Sequence, residues 1–580
     1  MSLTGAINIG RTALNASQVG LQVTGNNLAN VSTAGYSRQL VSLSNVAGTA
    51  NSTLADRAGR GVNIQNIRRS VDEALEARLR SATSDESSAR NAYQLKSQVE
   101  SILGTIGEND LSNEFSQFFN AWSERANGTQ TSNIVVQQGV RLAEYMQRLR
   151  ENLAGTTSQI DSQLSASVRR ADTLLTQIAE LNVQIANTEG GGDQEANALR
   201  DQRGQKLAEL SELMEVSSVD RENGTIDVLV GSTPVVLGGR SRGLELKLEA
   251  DGDGTTARLV TKTKPERVEV LSGQIGALLA GRETSVQGTL EQLDRIAAEL
   301  ILQVNRLHST GTTASGFTSL TGSTQVALAD RSRPINDPDN ASFAALPFAA
   351  KNGGITIQVK NTTTNQTQTV RINVDLDGLT DAGLSGTADD TTINDIVAAF
   401  SAISGITGSV TPDGRLKVEA AAGYSFSFTE DTSDLLAVTG VNSFFTGTGA
   451  ADMAIRSELE TQPQSLAVGR IQNGTFVENA NALQVALLRE TPNPSLGNIG
   501  FGEAWSQIAQ EFGNDAGTAR NQAEATLIVR QNLEGQRASV SGVSSDEESI
   551  NMLAFQRQYQ GAARVIQIAD QLMQTLMQLV

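Results

Sequence analysis

The stretch Asn551-Met-Leu-Ala-Phe-Gln-Arg-Gln-Tyr-Gln-Gly-Ala-Ala-Arg-Val-Ile-Gln-Ile-Ala-Asp-Gln-Leu-Met-Gln-Thr-Leu-Met-Gln-Leu-Val580 repeats an apolar or small residue every three or four positions. Met552, Phe555, Tyr559, Ala562, Ile566, Ala569, Met573, Leu576 and Val580 alternate spacings of three and four, the seam of a helix that packs along another helix. Leu3, Ile7, Gly10, Leu14, Ser17, Leu21, Thr24, Leu28 and Val31 answer it with the same alternation. Terminal segments are ordinarily the least structured parts of a domain. Matched seams at both extremes predict instead that the two ends find each other and other copies of the chain. The candidate assembly interface is therefore Leu3, Ile7, Leu14, Leu21 and Leu28 with Met552, Phe555, Tyr559, Ile566, Met573 and Leu576. Val565, Leu572, Met577 and Leu579 lie off the seam, and a helix apolar on more than one face needs more than one partner.

Composition narrows the class. A chain of 580 residues is too long for one core and predicts roughly three or four domains. Lys and Arg number 45 against 64 Asp and Glu, a net charge of −19 that speaks against nucleic acid and anionic membranes as partners. Cysteine is absent, which removes disulfides, thiol catalysis and thiolate metal sites. The opening Met1-Ser-Leu-Thr-Gly-Ala-Ile has neither a basic region nor an apolar run, so no secretory signal peptide is expected, and no apolar run is long enough to predict membrane insertion.

Along the chain, helical and β-leaning stretches alternate. The first amphipathic segment stops at Asn26-Asn-Leu-Ala-Asn30 and Thr33-Ala-Gly-Tyr36, where Asn and Gly close a helix. An extended or loop region follows, then helical spacing from Val71 to Ile102, an aromatic group of Phe115, Phe118, Phe119 and Trp122, and a long seam from Ile160 to Ile185. Gly190-Gly-Gly192 ends that seam, and Leu199 to Met214 returns, predicting a helical hairpin. Thr225–Val230, Val235–Leu237 and a hairpin around Asp251-Gly-Asp-Gly254 read as β. Val286 to Leu307 is helical again. Between 350 and 447, alternating Ile355, Ile357, Val359; Val370 to Leu376; Leu416, Val418; and Tyr424, Phe426, Phe428 flank a helix at Thr392–Phe400, predicting a β-β-α-β-β module. Helix resumes from Asn479 to the end.

The expected fold class is α+β multidomain and elongated, with coiled-coil-like terminal helices and an α-helical bundle carrying nested β-rich insertions. The expected division is an N-terminal helix and loop over 1–70 paired with a C-terminal helix over 541–580. Next come a helical domain over 71–215 with 265–320 and 475–540, a β-rich domain over 216–264 with 321–349 and 448–474, and an outer self-contained module over 350–447.

The segment Gly25-Asn-Asn-Leu-Ala-Asn-Val-Ser-Thr-Ala-Gly-Tyr-Ser-Arg38-Gln39 resembles the N-terminal signature of bacterial flagellar rod, hook and hook-associated proteins. Further blocks resemble one branch of that family, the hook-associated proteins that join hook to filament. They are Leu199-Arg-Asp-Gln-Arg203, Gly273-Gln-Ile-Gly-Ala-Leu-Leu279, Gln303-Val-Asn-Arg-Leu-His-Ser-Thr-Gly311, and Ser541-Gly-Val-Ser-Ser-Asp-Glu-Glu548 with Phe555-Gln-Arg-Gln-Tyr559 and Ala563-Arg-Val-Ile-Gln567. The module at 350–447 resembles an insertion present in some relatives. The resemblance implies a structural protein of the hook–filament junction, exported unfolded through the flagellar type III channel. It implies self-association in a ring, contact with the hook protein and the adjoining junction protein, and an export chaperone at the C-terminal segment. The alternatives are another axial protein, the third hook-associated protein or a flagellin-like one, and a secreted adhesin, which would not need matched terminal seams.

Candidates for chemistry are few. His308 is the only histidine, so no histidine pair or Ser-His-Asp triad exists; its place at a helix end predicts a C-terminal cap. Asp251-Gly-Asp-Gly and Asp375-Leu-Asp-Gly378 resemble calcium loops but lack the closing bidentate acid, and read as turns. Gly59-Arg-Gly61 and Gly447-Thr-Gly449 lack the rest of any phosphate-binding fingerprint. Asp546-Glu547-Glu548 reads as a helix start, with Ser545 as N-cap and Glu548 as its capping-box partner. No catalytic residue, metal or cofactor is expected, and an assembly protein rather than an enzyme follows.

Overall fold

The computed structural model describes residues 3–46, 59–104, 110–190, 195–251, 254–380 and 382–578. In chain order the elements begin with α1 (Leu3–Ala29), β1 (Gln39–Asn45), β2 (Val62–Arg69), α2 (Glu73–Leu103), α3 (Leu111–Ala126), α4 (Ser132–Glu189) and α5 (Asn197–Leu213). Strands β3 (Ser217–Asp220), β4 (Ile226–Val230), β5 (Thr233–Leu237), β6 (Arg240–Ser241), β7 (Leu244–Asp251) and β8 (Gly254–Thr261) precede α6 (Gly273–Gly281) and α7 (Gly288–Ser309). Then come β9 (Ser319–Gln325), α8 (Ala341–Ala344), β10 (Gly353–Asn361), β11 (Thr367–Val374), α9 (Ile393–Ser401), β12 (Ile406–Val410), β13 (Arg415–Ala420) and β14 (Tyr424–Asp431). Short helices α10 (Leu435–Thr439), α11 (Ser457–Thr461) and α12 (Ala480–Leu487) lead to the long α13 (Phe501–Ser541) and α14 (Ser545–Gln578). The fold is α+β and multidomain.

The chain forms two compact units. One holds 1–95, 159–283 and 517–580; the other holds 96–158 and 284–516. The expected grouping of 216–264 with 321–349 and 448–474 therefore does not hold, because those segments fall in different units. The expected helical domain is divided as well: α2, α4 and α13 each contribute residues to both units. A seam shows that a helix is buried but not which neighbours bury it.

In the first unit, Arg200 of α5 bonds Glu189 of α4 at 2.8 Å, and that bond, helped by the Ala196 amide, holds the carboxyl below its usual range. Asn182 on α4, fully buried, donates to the carbonyls of Ile226 and Gly238 and accepts from Arg203 and the Ile226 amide. One amide side chain thus locks the β3-β4-β5-β6 sheet onto the helical hairpin. Burial pushes the Arg203 guanidinium down to about 10. β7 and β8 form the expected antiparallel hairpin; its turn residues 252–253, and Gly191–Gly192 of the expected helix stop, lie outside the described residues.

In the second unit, the α3 aromatics expected to cluster do so: Phe118 and Trp122 meet Phe444, and Phe115 and Phe119 meet Phe501. His308 is fully buried beside them. Its Nδ1–H donates to the Asn442 carbonyl at 2.7 Å, and Nε2 accepts from the Ala467 amide, which defines one neutral tautomer. The capping expected of His308 is done by Asn442, whose side-chain amide donates to the carbonyls of His308, Ser309 and Gly311. A left-handed backbone at Asn442, φ 53°, aims that amide back at the helix end.

The β-β-α-β-β reading gains a strand and loses its independence. β12 (Ile406-Thr-Gly-Ser-Val410) is short and glycine-interrupted, so alternation did not reveal it. Two antiparallel sheets form, β11-β10-β14 and β12-β13-β9, and β9 comes from outside 350–447. Leu320 pairs with Val418, and Phe317 exchanges both backbone hydrogen bonds with Phe426. One apolar core contains Phe317, Leu320, Val326 and Phe343 with Ile355, Phe400 and Phe428, so the module is not self-contained over 350–447.

Two outcomes follow. Replacing 350–447 by a short linker strips β9 of its partner and α7 of its Asn442 cap; a soluble, cooperatively unfolding product in calorimetry would refute this. Burial pushes His308 down to about 3, against 6.5 for an exposed histidine. Between those values the unfolded chain binds the proton that the folded chain refuses, so this stability is present above pH 6.5 and is lost as pH falls. At pH 5 the loss is about 2 kcal/mol. Comparing the denaturant midpoints of wild type and His308→Gln at pH 7 and 5 isolates it, because no second histidine exists.

Candidate assembly interface

α1 carries glycines at 10 and 20, each costing a helix about 1 kcal/mol relative to alanine. Both glycines face α14. A Cβ at Gly10 would lie 2.7 Å from the Ile566 side chain, and one at Gly20 would lie 2.5 Å from the Phe555 ring. Each missing side chain is therefore a socket for a large one, and any larger residue forces the helices apart. Ser17 and Thr24 are buried along the same stripe, as are Ala562 and Ala569 on α14.

The candidate residues divide accordingly. Phe555 and Ile566 fill the glycine sockets. Leu3, Ile7, Leu14, Leu21, Leu28, Met552 and Met573 are half-buried, while Tyr559 and Leu576 are exposed. The leucines expected at the centre of the seam flank it, because the helices approach over small residues. Gly20, Ala16 and Val23, absent from the three-four reading, are buried. Beside the α1-facing side of α14, about a quarter-turn round the helix, a second stripe remains open: Val565, Ile568, Leu572 and Leu576 follow at spacings of three and four and are all exposed, as are Ile550, Leu553 and Met577. Val565, Leu572 and Met577 were expected to be uncovered; Leu579 lies outside the described residues.

The helix ends are joined by a polar node that periodicity does not reveal. Asn27, 1% exposed, accepts from the Tyr36 hydroxyl at 2.8 Å and the Gln39 amide at 3.0 Å, and donates to the Gln39 carbonyl at 2.9 Å and Glu548 at 3.3 Å. Its side chain thus satisfies both backbone groups of Gln39, as a strand neighbour would. Glu548, also 1% exposed, takes the Arg38 Nε–H at 2.7 Å, and a second Arg38 nitrogen reaches Glu547 at 2.9 Å. The Arg38 amide donates to the Ser541 carbonyl, and the Ser37 amide to Asp201, which also pairs with Arg69. Burial, Asp201 and Glu548 push the Tyr36 hydroxyl up to about 12, so it stays a donor.

Glu548 corrects the capping-box expectation. The cap is Ser544, whose hydroxyl accepts from the Glu547 amide, and Glu548 turns instead into α1. Asp546, Glu547 and Glu548 still occupy the first turn of α14, where negative charge suits the helix dipole. The glycine motifs are turns and close approaches. Gly61, φ 107°, packs on Ile9 and Thr12 of α1, and the Thr448 and Gly449 amides are taken by Asp452.

Three family models match this chain. Residues 7–36 match "Flagella basal body rod protein", 535–579 match "Flagellar basal body rod FlgEFG protein C-terminal", and 96–323 match "Flagellar hook-associated protein FlgK helical domain". Flagellar hook-associated protein 1 of Salmonella typhimurium is 27% identical over 99% of this chain and 100% of its own length. This chain is similar to flagellar hook-associated protein 1 along nearly its whole length. The Bacillus subtilis member is 28% identical over 53% of this chain and 67% of its own length. The structure of the flagellar hook junction protein FlgK from Burkholderia pseudomallei is 16% identical with a TM-score of 0.48, over 80% of this chain and 100% of that one. These likenesses support a structural role at the flagellar hook–filament junction rather than an enzymatic one. Among the described residues no helix is long and apolar enough to cross a membrane.

The node is testable. Asn27→Ala leaves Tyr36, Gln39 and Glu548 short of partners, a loss of about 3 kcal/mol in local opening. Hydrogen exchange should accelerate across 3–29 and 545–578 and stay unchanged in β10, β13 and β14. Unchanged exchange at both ends would refute the assignment.

Proposed function

We propose that α1 and α14 form one prefabricated two-helix unit, and that this unit carries assembly through the second stripe of α14. The carrying observation is that Val565, Ile568, Leu572 and Leu576 stay exposed although α1 already covers the adjacent face. Aliphatic side chains left in water at helical spacing gain about 1.5–3 kcal/mol each when a neighbour buries them. The occupant is another copy of this chain, repeated around a ring. The hook protein and the adjoining junction protein are the partners at the two faces of that ring.

Export fits the same reading. The chain lacks cysteine and so carries no disulfide to block threading through a type III channel. A chaperone holding the C-terminal segment before secretion would cover the stripe that later meets neighbours. That puts the assembled protein outside the cell, on the flagellum.

The experiment separates pairing from assembly. Leu572→Asp lies on the open stripe. The monomer should keep its circular dichroism and melting temperature, yet fail to add to isolated hooks, since each interface loses about 2–3 kcal/mol. Ile566→Asp instead places a carboxylate against Gly10 and should also loosen α1 from α14, visible as faster proteolysis of both ends. Normal incorporation of Leu572→Asp onto hooks would overturn the proposal.

A further inference from the structure

Two loop segments of the second unit bring Asp375, Asp377 and Asp390 together, with one carboxylate oxygen of each within 4.8 Å of the others. Two ligand oxygens on opposite sides of one Ca2+, each about 2.4 Å from it, lie about 4.8 Å apart. The spacing fits a single ion.

The scaffold is built rather than incidental. The Asp375 amide donates to Thr391 Oγ1 at 2.8 Å, and the Thr391 amide returns a bond to the Asp375 carbonyl. The Ile335 amide donates to the Thr391 carbonyl, and Leu376 and Ile393 anchor the two acidic segments in the core. Turn chemistry accounts for Asp377 in part, since its Oδ1 accepts from the Leu379 amide ahead of Gly378 at φ 70°. It does not account for Asp390, which lies outside that motif.

Asp390 is the independent observation. It is 2% exposed, and its Oδ2 accepts from Asn336 Nδ2 at 2.7 Å. Its Oδ1 is shielded from solvent and has no hydrogen-bond partner; the same holds for the Asn336 amide oxygen. Among the described residues no Lys or Arg forms an ion pair with any of the three acids. A buried carboxylate without a counter-charge is costly, and two more beside it add repulsion. A bound cation removes both penalties.

We propose that Asp375, Asp377 and Asp390 bind one Ca2+, with the Asn336 amide oxygen at the same corner. All donors are oxygen, and no histidine or cysteine is near, which selects a hard cation over zinc. Asp375 and Asp377 are exposed, leaving the remaining positions to water, a mixed and irregular shell that Ca2+ accepts and Mg2+ resists. The ion ties the loop after β11 to the start of α9.

Calorimetric titration of the full chain tests this, using CaCl2 and separately MgCl2 in about 0.15 M NaCl to screen diffuse binding. One saturable Ca2+ per chain is expected, with affinity at least tenfold weaker in Asp377→Asn, whose exposed side chain spares the fold, and lost in Asp390→Asn. The wild-type melting temperature should rise with CaCl2 and that of Asp377→Asn should not. Absence of saturable Ca2+ binding, equal binding by wild type and Asp377→Asn, or equally tight Mg2+ would each overturn the assignment.

Discussion

The buried Asn27–Glu548–Arg38 node is the constraint on which the terminal architecture depends. An apolar stripe alone permits two helices to slide by a turn with little penalty. A carboxylate that is 1% exposed cannot slide, because moving it leaves a charge without its guanidinium. The node therefore sets the register in which Phe555 meets Gly20 and Ile566 meets Gly10. The Arg38 amide also holds the Ser541 carbonyl at the turn between α13 and α14. Residues more than 500 positions apart are fixed by a few hydrogen bonds.

Much of this was legible in the amino-acid order. Long seams became helices, Phe118 and Trp122 became core, and alternating Ile355, Ile357 and Val359 became the centre of a sheet. Residues of the α1–α14 contact were legible only in part, for a physical reason. Three-four spacing rewards large apolar residues, whereas the closest part of the α1–α14 contact is lined by glycine, serine and threonine. Gly20 looks like a weak point in a helix until Phe555 is placed against it. Asn27 reads as a helix stop, and its second role, satisfying Gln39 and Glu548 at once, needs partners from far away in the chain.

Domain borders were the least legible feature. A β-rich stretch declares itself locally, but its sheet partners do not. β9 is a single strand ahead of a loop, and only its pairing with β13, Leu320 opposite Val418, assigns it to the module after 350. Likewise, Asp375 and Asp377 form a visible motif, while Asp390 joins them through Thr391 and the turn before α9.

His308 has a consequence beyond the core it completes. Histidine is ordinarily the side chain that changes charge near neutrality. This chain has one, and it is sealed between Asn442 and Ala467 as an uncharged ring. With cysteine also absent, the folded protein has lost the usual means of sensing mild acid or alkali on its surface.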